Sequence, residues 1–263
     1  MPPLKSTGVE PVYRTVIGAA ITLFRTMDWR VRVHAPHHIP VSGGAVLASN
    51  HIGYLDFVFV GFGARERGRL VRFLAREDVF RHRASGPLMR AMRHIPVDRY
   101  GRAHDSFKAA VQALHDGELV GMFPEGTISR SFVPQPGKSG AARMAMDAAV
   151  PLVPCAVWGT QRILTKDRPR NLQRQLVIDV AYGEPIAYRS TEEPQDVTDR
   201  LMSRIRTMVA DLAERYPQRP AGPADGWWLP AHMGGSAPTE GEALEMTARD
   251  IAARRAQRAA EDI

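Results

Sequence analysis

The sequence predicts an α/β fold: a mostly parallel central sheet flanked by helices, with an amphipathic helical element at the N-terminus. Three observations carry that expectation. Short apolar runs alternate with helix-like segments through most of residues 44 to 215, the rhythm of strand–helix–strand units. Hydrophobic residues make up 44% and charged residues 24% of the 263, an ordinary globular composition that excludes a mostly disordered chain and leaves enough chain for a substantial core. The single cysteine, Cys155, excludes an internal disulfide framework and a multi-cysteine zinc site.

The elements follow in order. Thr15 to Phe24 is uncharged but too short for a membrane-spanning helix, which needs about 20 residues. Val12, Val16, Ala20, Leu23, Phe24 and Met27 fall on one helical face, with Arg14, Arg25, Arg30 and Arg32 beside it. Two arrangements satisfy that pattern: a helix lying in a membrane interface, or a helix packed on the domain core. No secretory signal pattern precedes it. Residues 1–35 are therefore assigned to an N-terminal membrane-interfacial element, 36–216 to the α/β domain, and 217–263 to a Pro/Gly-rich linker and a C-terminal helical extension.

Within the domain, Gly44 to Ser49 reads as a buried strand and Asp56 to Gly63 as a buried helix. Leu70 to Ala75 and Ile95 to Val97 are further strands, separated by an arginine-rich stretch with a Gly86-Pro87 break. Asp105 and Ser106 are candidate N-caps for a helix through His115, with Gly117 as its stop. Leu119 to Phe123 is a strand, Ser139 to Ala149 a small-residue helix, and Val150 to Trp158 and Leu176 to Ala181 are strands. Val197, Leu201, Ile205, Val209 and Leu212 repeat at three- to four-residue spacing and predict an amphipathic helix. Residues 217 to 238 are rich in Pro and Gly around Trp227-Trp228, and residues 239 to 262 form a last charged helix.

The formal net charge of +7 is local. Residues 65 to 104 hold eleven arginines against four acids, and the rest of the chain is balanced. Such a patch fits an anionic partner or a solvated arginine-rich surface. Nucleic acid is one such partner, but no helix-turn-helix, zinc finger or aromatic-rich strand motif accompanies the arginines.

Four segments carry chemistry. Asn50-His51-Ile52-Gly53-Tyr54-Leu55-Asp56 sits where an apolar strand ends, the place where α/β sheets hold ligands. With His51 in the turn and Asp56 in the first turn of the next helix, the carboxylate reaches one imidazole nitrogen and leaves the other free as a general base. Phe123-Pro124-Glu125-Gly126-Thr127 also follows an apolar strand. Its glycine permits close backbone approach, and Thr127 offers a hydroxyl to a phosphate. The same residues equally suit a tight turn with a helix cap. Ile95-Pro96-Val97-Asp98-Arg99 puts an arginine, a natural phosphate ligand, at a strand end. Val150-Pro151-Leu152-Val153-Pro154-Cys155 is a proline-punctuated strand that reads as structural wall. Cys155 lies within it with no base nearby in sequence, as a buried core residue. His37 and His38 are adjacent and read as loop residues, so no metal site is assigned.

Together and in this order, the four segments resemble the glycerolipid acyltransferase family, the 1-acylglycerol-3-phosphate acyltransferases, over roughly residues 40 to 185. The resemblance implies acyl transfer from a thioester to a glycerol hydroxyl in phospholipid synthesis. It makes His51 the general base and Asp56 its orienting partner. It places Arg99, Glu125, Gly126 and Thr127 at the glycerol phosphate. The family's arginine after E-G-T is displaced here, with Ile128 in its place and Arg130 two residues later. Lys138, in Gly137-Lys138-Ser139-Gly140, resembles the family's basic segment before a glycine. The implied partners are an acyl-coenzyme A or acyl-carrier-protein thioester as co-substrate, a lysophosphatidate or related acceptor, and a membrane surface on the cytoplasmic face. No cofactor, metal or nucleic acid is expected. Glycerol 3-phosphate and other lysolipids remain open as acceptors, because the motifs are common to these reactions.

Overall fold

The computed structural model describes residues 10–83, 85–97 and 103–261. Seven strands form one sheet: β1 (Arg30–His34), β2 (Ala45–Ser49), β3 (Val71–Arg76), β4 (Ile95–Val97), β5 (Leu119–Met122), β6 (Leu152–Trp158) and β7 (Val177–Tyr182). Their order is β1-β7-β6-β2-β5-β3-β4, and every neighbouring pair is parallel except β6 with β7. The expected mixed α/β fold with a mostly parallel sheet is thus what forms. Every residue of β2 and β6 is buried, as strands covered on both faces must be.

The helices are α1 (Pro11–Thr26), α2 (Asp56–Ala64), α3 (Glu77–Arg81), α4 (Ser85–Ala91), α5 (Ala103–His115), α6 (Gly140–Asp147), α7 (Pro194–Glu214) and α8 (Glu240–Glu261). Along α7, Val197, Leu201, Ile205 and Val209 are buried, the face that the spacing marked out. Gly86-Pro87 does not break the chain; it falls in the first turn of α4, where a proline's missing N–H costs nothing. Asp105 and Ser106 lie inside α5, which begins at Ala103.

The sheet reaches back further than its apolar pattern. β1 pairs with β7 from Arg30↔Val177 to His34↔Ala181, inside the stretch assigned to the N-terminal element. Its alternating Arg-Val-Arg-Val-His carries too few apolar residues to read as a buried strand. Asp179 on β7 answers the charges: Arg32 Nε donates to Asp179 Oδ1 at 2.7 Å, and His34 Nε2 lies 2.8 Å from the same oxygen. Helix α1 turns part of its apolar face inward. Phe24 stacks on Phe59 with ring centroids 5.0 Å apart, and the Tyr13 hydroxyl donates to the Val71 carbonyl at 2.9 Å.

Much of the arginine-rich segment also points inward. Arg69 donates to the carbonyls of Pro40, Gly43 and Gly117. Arg72, 1% exposed, lies between Glu10 and Glu118. Arg67 and Arg90 hold the carbonyls of Ile39 and Phe80. These guanidinium groups close loops and join α1 to the sheet, satisfying buried acceptors that would otherwise be costly. The local positive charge is therefore smaller at the surface than in the sequence.

Residues 217–238 wrap the domain. Trp228 is 1% exposed, its ring meets Tyr216 edge-on, and Arg162 lies over it at 4.3 Å. The segment leads into α8, whose start is a capping box: Glu242 N–H donates to Thr239 Oγ1 and Thr239 N–H to Glu242 Oε2.

Candidate active site

The carboxyl ends of β5, β2 and β6 stand side by side, with Ala48 opposite Met122 and Ser49 opposite Cys155. The chain therefore delivers His51, Glu125 and Thr160 to one edge of the sheet. Asn50 extends the ladder with its side chain: Val157 N–H donates to its Oδ1 at 2.8 Å and its Nδ2 donates to the Val157 carbonyl at 3.1 Å. That fixes where the chain leaves β2 and so where His51 begins.

Asp56, fully buried in the first turn of α2, gathers four donors. Its Oδ2 lies 2.9 Å from His51 Nδ1 and accepts the N–H groups of Ile52 at 2.7 Å and Gly53 at 2.9 Å. Its Oδ1 accepts the Thr160 hydroxyl. A carboxylate surrounded by donors places the imidazole proton on Nδ1 and leaves the Nε2 lone pair outward. The His51 side chain is 20% exposed, and its ring stacks on Phe123 with centroids 4.1 Å apart. A fixed tautomer, a held ring and an accessible nitrogen are what a general base requires.

The E-G-T turn is woven onto the backbone of His51. His51 N–H donates to Glu125 Oε1 at 2.8 Å, and Ser129 N–H donates to the His51 carbonyl at 2.7 Å. Glu125 Oε2 accepts the Gln135 N–H at 3.0 Å. Glu125 is thus a buried brace between three segments. Burial pushes its carboxyl up to about 8. Gly126 adopts φ +69°, the left-handed region that favours glycine, and a Cβ there would stand 3.7 Å from Lys138 Nζ. Lys138 therefore lies beside the turn.

Arg130 is 8% exposed and ion-paired with Asp167 and with Asp250 of α8, the latter at 3.0 Å. Arg99 lies outside the described residues. Cys155 is fully buried in β6, and burial pushes its thiol up, consistent with an inert core residue. The sequence reading missed Thr160 and Lys166, which follow β6 at separations no local pattern encodes. Lys166 Nζ donates to Thr127 Oγ1 at 3.2 Å and to Asp250 Oδ2 at 2.9 Å.

The site thus joins a His–Asp pair at the carboxyl ends of a parallel sheet, through the His51 backbone, to an E-G-T turn with Lys138 and Lys166 beside it. Residues 30–158 match the family model for Acyltransferase. Over 199 residues the chain is 28% identical to a 1-acyl-sn-glycerol-3-phosphate acyltransferase of Bacillus subtilis, covering 73% of this chain and 95% of the relative. It is 33% identical over 145 residues to a relative of the same name from Limnanthes douglasii, covering 54% of this chain and 50% of that one. The crystal structure of the 1-acyl-sn-glycerophosphate (LPA) acyltransferase from Thermotoga maritima has the same fold. Its TM-score is 0.64 at 18% identity, over 78% of this chain and 81% of that one.

Proposed function

We propose that this protein transfers a fatty acyl group from an acyl thioester to the free hydroxyl of a 1-acylglycerol-3-phosphate, giving phosphatidate. The observation that carries this is the His51–Asp56 pair, with Nε2 outward beside the E-G-T turn. His51 Nε2 takes the proton of the acceptor hydroxyl as its oxygen attacks the thioester carbonyl. The C–O bond forms, the C–S bond breaks, and the imidazolium returns the proton to the departing thiolate. Asp56 holds the ring and stabilises its charged form. Thr127, Lys138 and Arg130 supply donors around the acceptor phosphate, and Arg99 joins them from the segment after β4. Glu125 acts as a positioning residue that holds the turn against His51. A thioester is already an activated donor, so coenzyme A or a carrier protein suffices as the acyl carrier.

Such amphiphilic substrates call for attachment to a membrane surface. Among the described residues no helix is long and apolar enough to cross a membrane. Helix α1 supports peripheral attachment. Its exposed side carries Val12, Thr15, Ala19, Thr22, Leu23 and Thr26. The hydroxyls of Thr15, Thr22 and Thr26 donate to their own helix, which hides their polarity. Arg14 and Arg25 lie beside this stripe, suited to anionic headgroups.

The test is thiol release from a long-chain acyl-coenzyme A, with lysophosphatidate or glycerol 3-phosphate as acceptor. Wild type should release thiol only with acceptor, and faster with lysophosphatidate. His51→Ala should lose roughly 10²- to 10⁴-fold in kcat with an unchanged circular dichroism spectrum. Equal release with and without acceptor, from coenzyme A and carrier-protein thioesters alike, would overturn the proposal.

A further inference from the structure

Beyond the E-G-T turn, one carboxylate oxygen is shared by two cations. Asp250 Oδ2 accepts from Lys166 Nζ at 2.9 Å and from Arg130 Nη2 at 3.0 Å. Lys166 also donates to Thr127 Oγ1, so this oxygen sits one residue's reach from the turn. Both cations are largely covered, Lys166 at 12% exposed and Arg130 at 8%. Arg130 Nη1 is buried with no hydrogen-bond partner, an orphan donor that neither Asp250, on Nη2, nor Asp167, on Nε, engages.

The position of Lys166 is fixed by the same residues that build the site. After β6, Thr160 binds Asp56, the Tyr54 N–H donates to the Leu164 carbonyl at 2.9 Å, and the Thr165 hydroxyl donates to the Ile52 carbonyl at 2.7 Å. The loop is thus laced to the turn that carries His51, and it ends by placing a lysine beside Thr127. The position directly after E-G-T is Ile128, 4% exposed and unable to contact an anion through its side chain. Lys166 brings a cation to that neighbourhood from another part of the chain.

Helix α8 is held lightly. Ala243 is buried, Met246, Thr247 and Asp250 are half-buried, and the other described side chains are exposed. This is one narrow stripe at i, i+3, i+4 and i+7, and its last member is a carboxylate in place of an apolar residue. The two cations hold the Asp250 carboxyl below the ordinary carboxylate range, Lys166 most of all. The contact is electrostatic and can be exchanged for a better anion.

We infer that Lys166 and Arg130 form the seat for the acceptor's phosphate, and that Asp250 of α8 occupies it until the acceptor displaces it. A phosphate brings three oxygens where Asp250 offers one to both cations, and so can also use Arg130 Nη1. In this arrangement α8 screens the site against weakly charged ligands, and phosphorylated acceptors gain by expelling Asp250. The inference rests on the acyl-transfer proposal for the acceptor's identity.

The experiment is a calorimetric titration with a soluble short-chain 1-acylglycerol 3-phosphate, run beside the thiol-release assay. It compares wild type, Lys166→Met, Lys166→Arg and Asp250→Asn, with folding of each checked by thermal melting. Lys166→Met should weaken binding at least tenfold, Lys166→Arg should restore most of it, and Asp250→Asn should tighten it several-fold. KM in the assay should move in the same directions. Equal affinity in all four proteins, or no binding heat in any, overturns the seat even if wild type is an active acyltransferase. Affinities that follow Lys166 and Asp250 while wild type releases no thiol uphold the seat and overturn the acyl-transfer proposal.

Discussion

Glu125 illustrates how a residue's type can be legible and its task not. The family resemblance implies a substrate contact, and the structure adds that both of its oxygens accept backbone N–H groups, from His51 and Gln135. Its carboxyl, pushed up to about 8 by burial, keeps its proton in the folded state over a pH range where the unfolded chain has lost it. The stability this confers is full below the ordinary value of about 4.5 and is lost as pH rises through about 8. Glu125→Gln removes the titration along with one acceptor. Its urea midpoint should be lower than wild type at pH 5 but fall less between pH 5 and 8; parallel slopes for the two proteins would show that Glu125 does not titrate there. His51 and Asp56 are the opposite case. Their five-residue spacing spans a strand end and a helix start, so the pairing follows from local geometry and was readable.

At the scale of elements, the spacing of apolar residues settled most questions, because a buried strand or an amphipathic helix needs its pattern to be buried at all. It failed where charges took apolar positions. Three of the five residues of β1 are arginine or histidine, and Asp179 on β7 meets two of them, Arg32 and His34. The face of α1 likewise divides. Phe24 and Tyr13 turn into the core, while Val12 and Leu23 stay outside, 39% and 46% exposed. A helical wheel cannot distinguish an apolar face that meets protein from one that meets lipid. Leu23→Glu should leave the melting temperature within about a degree, since surface changes cost little. It should reduce cosedimentation with phosphatidylglycerol-rich vesicles several-fold; unchanged sedimentation would remove α1 from the membrane contact.

At the scale of the molecule, residues 217–238 pack against the domain and lead into α8. Trp228 is packed between Tyr216 and Arg162, and the Trp228 carbonyl accepts from Gln161 at 3.3 Å. Trp228→Ala should therefore destabilise the protein by about 3–5 kcal/mol, the range for deleting a buried large aromatic side chain. This is measurable as a drop in the midpoint of a single urea transition. A change within about 0.5 kcal/mol would instead describe a loosely attached tail. The same packing brings α8 to Arg130 and Lys166, so one contact surface serves both stability and the approach to the site.

The sequence by itself determined the alternating α/β architecture, the His51–Asp56 pair, the E-G-T turn and the family they point to. Each of these depends on neighbours within a few residues, where backbone geometry leaves little freedom. Only the tertiary structure decided the inward use of the arginines, the bracing role of Glu125, and the meeting of Thr127, Lys166 and Asp250. Those contacts join residues 10 to 84 positions apart. Their partners are chosen by which strand ends stand together, and no local periodicity records that choice.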